Sequence, residues 1–183
     1  MFFEGAPIHD VVIEELTFNC SGDGVEAMGE FHNITLRDNV FIVGQNGITT
    51  RGPSSEWQIN ENAIQAGWDG IRISGVRSFK ITKNDISAKN GISLLTTSEM
   101  QVKSNTIQSQ NLGILLGQEA WKNTAQANKI SGVSLAGIAL EPNERDNRVL
   151  ANKVTCAQGT NCVAVSVPAD LARGNKISGN SRK

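Results

Sequence analysis

Tyrosine is absent from the 183 residues, proline appears only 4 times and histidine only twice. Two histidines, His9 and His32, are too few for a His-rich metal site, and both lie outside the regular part of the chain. A His-based mechanism is therefore not expected. An excess of one charge is also missing: 17 basic residues face 18 acidic ones, net −1, and no block of either sign stands out. Nucleic acid and anionic lipid both call for a concentrated basic patch, so neither is expected as a main partner. No apolar run approaches the roughly 18 residues of a membrane span, so no membrane insertion is expected. Met1-Phe2-Phe3-Glu4-Gly5 has no basic n-region and no long apolar stretch, and no signal peptide is read in it. Phosphate-binding Gly loops, Cys-x-x-Cys pairs and His-Glu-x-x-His are lacking as well.

Asparagine and glycine are abundant, with 18 of each. They mark frequent corners, while the many Ile and Val mark strands. Asn-x-(large apolar) recurs at Asn39, Asn62, Asn84, Asn105, Asn128, Asn152 and Asn175, in steps of 23, 22, 21, 23, 24 and 23. Gly-Ile follows each Asn by 7 to 9 residues at Gly47, Gly70, Gly91, Gly113 and Gly137, with Gly24-Val25 before them and Cys162-Val163 in the last place. An apolar residue precedes each Asn by three (Leu36, Ile59, Ile81, Val102, Val149), with Ala125 and Ala172 as weaker members. Hairpins do not place one residue type at one point every 22 or so residues. A coil stacking in parallel on its own copies does, with Ile, Val and Leu turned inward. The Asn column then reads as stacked amides bonded rung to rung, at a corner where Asn tolerates left-handed φ.

This pattern resembles the single-stranded right-handed parallel β-helix of the pectate-lyase-like superfamily, with its PbH1-type repeats, over about 11–180. The resemblance implies an all-β solenoid of seven to eight coils as one domain over 1–183. It also implies polysaccharide-directed function: a lyase, hydrolase or epimerase acting on acidic sugars. The catalytic signatures of the superfamily are missing. There is no Gly-His-Gly, Asn-Thr-Asp, Arg-x-Pro-x-x-Arg or Asp-Pro-His-Asp. A non-catalytic module, such as an adhesin, a tailspike-like segment or a scaffold, is the alternative. The ends run straight into and out of coils with no capping helix, and the chain reads as a fragment of a longer protein or one whose ends a partner covers.

Candidate site residues come from the outward positions of the Gly-Ile strands. These read Glu26, Thr49, Arg72, Ser93, Leu115, Ala139 and Ala164, then two residues on Met28, Arg51, Ser74, Leu95, Gly117, Glu141 and Ser166. Just before the glycines stand Asp23, Asn46, Asp69, Asn90, Leu112, Ala136 and Asn161. Asp23, Glu26, Arg51, Asp69 and Arg72 are expected on one wall as catalytic candidates, with Asn46, Thr49 and Trp68 as substrate contacts. Asp23 and Asp69, two rungs apart, fall about 10 Å from each other, nearer the inverting than the retaining carboxylate spacing of glycosidases. An acidic pair holding Ca²⁺ beside a basic residue would instead suit elimination from a uronide. A solvated wall of Arg–carboxylate pairs is the plain alternative.

Trp57 shares a column with Ile34, Phe79 and Met100 and reads as core, while Trp121 stands at a corner. Cys156 and Cys162 bracket five residues, enough to turn back, and are a candidate disulfide that would favour an extracellular or cell-envelope home. Leu95, Leu115, Ala139 and Ala164 leave the later wall apolar, so a homo-oligomer is expected, unless the 141–148 loop covers it.

Overall fold

The computed structural model describes residues 1–4, 7–168 and 174–183. Among them three eight-stranded sheets run along one axis, and every pairing between strands is parallel. Each coil gives one strand to each sheet in turn. Sheet A takes the Gly-Ile strands (Asp69–Ser74 is one), sheet B the short strands such as Lys80–Thr82, and sheet C those after the Asn, such as Asp85–Ala88.

The alternation inside each strand fixes its faces. Ile48, Ile71, Ile92, Ile114 and Ile138 stack inward from sheet A; Leu36, Ile59, Ile81 and Val102 from sheet B; Phe41, Ile64, Ile86, Ile107 and Ile130 from sheet C. All are buried, and each contributes about 1.5–3 kcal/mol by leaving water. Sheets A and C meet closely at the column glycines. A Cβ on Gly91 would run into the Gly113 carbonyl and the Ile107 methyl of its neighbours, which explains the glycine there.

The amide ladder lies at the corner between sheets B and C. Asn62 donates its backbone N–H (3.1 Å) and its Nδ2 (3.0 Å) to Asn84 Oδ1, and donates Nδ2 to the Leu36 carbonyl as well (2.9 Å). Asn39, Asn84, Asn105, Asn128 and Asn152 repeat the pattern. The ladder thus satisfies backbone groups that a buried corner would otherwise orphan. The left-handed residue is the one before each Asn, not the Asn itself. Asp38, Glu61, Lys83, Ser104, Ala127 and Ala151 have φ between 54 and 58°.

The last coil departs from the sequence reading in two ways. Val165 pairs with Ile138 and Ser166 with Ala139, so Ala164 holds the glycine place assigned to Cys162, and Val163 the place assigned to Asn161. The cause is a longer corner: Ile130 to Ile138 is eight residues, whereas Val154 to Val165 is eleven. The extra chain is taken up by a bulge that the Cys156–Cys162 disulfide closes, with Cα atoms 5.6 Å apart. The second departure is Asn175. The ladder is completed by Asn180, whose Oδ1 accepts from Asn152 N (3.0 Å) and Nδ2 (2.8 Å). Ile177 pairs with Val149 and so fills the apolar place three residues earlier. Ala172 lies outside the described residues.

Candidate functional site

The outward face of sheet A gathers the predicted wall in the predicted columns. Glu26, Thr49, Arg72 and Ser93 stand on successive rungs, as do Met28, Arg51, Ser74 and Leu95. Asp23, Asn46, Asp69 and Asn90 form a third row at the corner leading into the sheet. That row is a second ladder. Asp23 Oδ1 accepts from Asn46 N (2.9 Å) and Nδ2 (3.1 Å), and Asp23 Oδ2 accepts from Thr49 Oγ1 (3.0 Å). Asn46 Oδ1 accepts from Asp69 N (3.2 Å). Asp69 Oδ1 accepts from Asn90 Nδ2 (2.8 Å) and Oδ2 from Arg72 Nη1 (3.2 Å).

Both aspartates therefore have their two oxygens engaged, and Asp69 is only 4 % exposed. Their geometry is that of acceptors that fix a corner. The same donors occupy the oxygens that a Ca²⁺ ion would need, and among the described residues no three His, Cys, Asp or Glu side chains gather as a metal-holding group. The wall is left with Glu26 half-buried, Arg51 exposed and Arg72 reaching outward from its pair with Asp69.

Trp68 projects beside this wall, 63 % exposed, with Lys89 Nζ 5.7 Å from its ring centroid. Such an indole offers a flat apolar face beside polar groups. Trp57 is buried, stacked on Phe79 at 5.2 Å and edge-on to Phe31 at 6.3 Å, as expected of a core residue. Further along the wall Leu95 is 7 % exposed, and Leu115 and Ala139 are half-buried; the exposed Ser166, not Ala164, follows Ala139 in that column.

One titratable group escaped the sequence reading. Glu144 is 0 % exposed, inside the corner between sheets A and B. Its Oε1 accepts from Glu119 N (3.0 Å), while Oε2 is buried without a hydrogen-bond partner. Burial pushes its carboxyl up to about 7, against the pull of the Glu119 and Ala120 backbone N–H groups, and the nearby Glu141 and Glu119 charges push the same way. A Glu in a polar loop gives no sign of this in sequence.

Solved structures share this architecture. A DFA-IIIase from Arthrobacter chlorophenolicus A6, without its lid, aligns over 89 % of this chain with a TM-score of 0.70 and 13 % identity, covering 49 % of its own length. The same enzyme in complex with GF2 aligns over 98 % of this chain at 0.67 and 16 % identity, covering 59 % of its own. The A-module of a mannuronan C-5 epimerase from Azotobacter vinelandii aligns over 96 % at 0.62 and 13 % identity, covering 58 %. The chain thus spans about half to three-fifths of these proteins, and at such identities the likeness is one of fold. No curated protein is similar in sequence. The family model described as the right handed beta helix region matches residues 46–183, and with three parallel sheets wound over a continuous Asn ladder the chain belongs to that family.

Proposed function

We propose that this chain is a polysaccharide-directed β-helix that holds an acidic sugar chain against the outward face of sheet A. The observation that carries the reading is Trp68. It stands 63 % exposed at the edge of a wall that presents Arg51 and Arg72. An exposed indole supplies a stacking face, and guanidinium groups supply bidentate partners for uronate carboxylates. Neighbours of the same fold include an epimerase named for mannuronan and a DFA-IIIase solved in complex with GF2, and the first supports the sugar direction by analogy of fold.

Binding is better supported than catalysis, because Asp23 and Asp69 are engaged in the corner ladder. In a lyase, hydrolase or epimerase reading, Glu26 is the carboxylate left for proton transfer, with Arg51 and Arg72 neutralising the sugar acid. Asn46 and Thr49 then act through Asp23, as positioning residues. A second copy of the chain packed on the half-buried Leu115–Ala139 stretch remains part of this reading.

Calorimetric titration with hexagalacturonate and hexamannuronate tests it. Trp68→Ala and Arg72→Ala should each weaken binding about tenfold, close to 1.4 kcal/mol, with the thermal midpoint unchanged. Wild-type protein that binds neither oligomer, or variants that bind as wild type does, would remove the proposal. Appearance of unsaturated uronide products that Glu26→Gln abolishes would add lyase chemistry to it.

A further inference from the structure

The corner between sheets A and B carries a row that neither the repeat nor the wall accounts for. His32, Ser55, Arg77, Ser98, Trp121 and Arg145 are joined rung to rung by single parallel bridges. Behind them the inward residues Ser54, Val76, Thr97 and Ala120 are small and buried, and the buried Glu144 follows them behind Arg145. Two depressions of about 350 and about 400 Å³ lie along the corner and meet at Thr96. Together they form one groove parallel to the helix axis.

Two guanidinium groups line it, those of Arg77 and Arg145. Arg37, Arg72 and Lys83 are each paired with a carboxylate. Arg77 and Arg145 are exposed, and among the described residues neither makes an ion pair. Arg145 Cζ lies 5.6 Å and Lys122 Nζ 4.6 Å from the Trp121 ring centroid. The indole thus carries both cations against its ring, and Arg145 opens into the groove beside it. Arg77 stands three rungs before Arg145, about 14 Å away. Glu30 and Glu119 also line the groove, and Glu30 is bonded to His32 Nε2 at 3.1 Å. They are acceptors suited to sugar hydroxyls.

An occupant must therefore be elongated, carry carboxylates at intervals and bear hydroxyl donors between them. A sugar residue is close to one rung in length, so a uronate chain laid along the axis keeps step with the row. Single-stranded nucleic acid would want several successive aromatic platforms, and this row has one. We infer that the groove between sheets A and B is a second binding site, for a carboxylate-bearing sugar chain lying parallel to the axis. Arg77 and the Lys122–Trp121–Arg145 cluster are its two anchor points. The groove shares no residue with the sheet A wall, so substitutions in one site leave the other intact.

Calorimetry with hexagalacturonate decides it, with maltohexaose as the neutral control and hexathymidylate as the nucleic-acid control. Measured in the Trp68→Ala background, so that the sheet A wall does not mask it, the Arg77→Gln/Arg145→Gln pair should weaken the remaining hexagalacturonate binding about tenfold or more, as loss of charge-assisted contacts requires. Trp121→Leu should do the same by removing the ring on which Arg145 and Lys122 rest. Trp68→Ala should leave this site intact, which separates it from the sheet A reading. Arg145→Gln alone serves should the pair fold poorly, because a single outward substitution leaves every strand pairing in place. Three results would overturn the inference: unchanged affinity in these variants, maltohexaose bound as tightly as hexagalacturonate, or hexathymidylate displacing the uronate at equal concentration. Wild-type protein that does not bind hexagalacturonate at all overturns it as well.

Discussion

Trp57 and Asn123 occupy the same place in different coils. The inward column at the start of the sheet B strands runs Ile34, Trp57, Phe79, Met100, Asn123, Asn147. Its first part is an apolar stack, with Trp57 on Phe79 and Phe31 edge-on. Its second part is an amide ladder: Asn123 N donates to Asn147 Oδ1 (2.9 Å), and Asn147 N to Asn175 Oδ1 (2.9 Å). The backbone hardly differs. A left-handed residue precedes both, Glu56 with φ 63° and Lys122 with φ 54°. One corner geometry thus accepts two unlike solutions. Large side chains fill the space and exclude water. Amides leave less apolar volume but satisfy corner groups, such as the Met100 N–H (3.0 Å) and the Thr97 carbonyl (3.1 Å). A mixture at one rung has neither advantage.

The sharpest way to break this equivalence is to put the wrong solution in each half. Trp57→Asn would leave a large cavity and an amide with no ladder above or below it. We expect a loss of about 4 kcal/mol, read by chemical denaturation. The reverse exchange, Asn123→Met, restores bulk but strands the Met100 N–H and the Thr97 carbonyl. Its cost should be about 3 kcal/mol. Equal and small losses in both variants would mean that the column does not distinguish its halves.

Glu144 extends the polar half of this corner and brings pH into the comparison. Its folded carboxyl titrates at about 7 against 4.5 unperturbed, chiefly through burial. The folded state therefore holds its proton more tightly than the unfolded one. Its neutral form is tolerated below about pH 4.5. Stability then declines as pH rises from there to about 7 and is level above. Glu144→Gln should remove that decline, a gain of about 2–3 kcal/mol at pH 8 with little change at pH 4. Thermal midpoints at the two pH values give the answer, and a variant with the wild-type pH profile would refute the assignment. Reduction of Cys156–Cys162 should have the smallest effect, about 2 kcal/mol for so short a loop. It should act at the C-terminal coils, seen as faster amide exchange at Val163–Ser166 but not at Ile48–Arg51.

Most of the fold was legible because the coil length hardly changes between Asn39 and Asn152. At constant period, Gly-Ile and Asn-x-Ile report the register directly. Legibility ended at the last coil. There the eleven-residue corner moved Ala164 into the glycine place, while Asn175 kept a spacing of 23 by coincidence and joined Asn147 instead. The wall was legible as columns but not as bonds. Nothing in the spacing says that Asp23 and Asp69 bond to the amides of Asn46 and Asn90 rather than face solvent. The row at the corner between sheets A and B was not legible, since His, Ser, Arg, Ser, Trp and Arg follow one another with no common residue type. One signal was available: Asn123 falls in the column of Ile34 and Trp57, which fixes Trp121 two residues earlier on the outside of the corner.

The three tryptophans stand in three different parts of the molecule. Trp57 belongs to the core column, Trp68 to the sheet A wall and Trp121 to the corner groove. Tryptophan emission during titration with hexagalacturonate therefore tests the central claim, that the outward surfaces and not the stacked core meet an acidic sugar chain. A saturable change is expected in the wild type. It should be reduced in Trp68→Phe, reduced in Trp121→Phe and lost when both are replaced. A change that persists in the double variant, where Trp57 alone reports, or no change in the wild type, would contradict it.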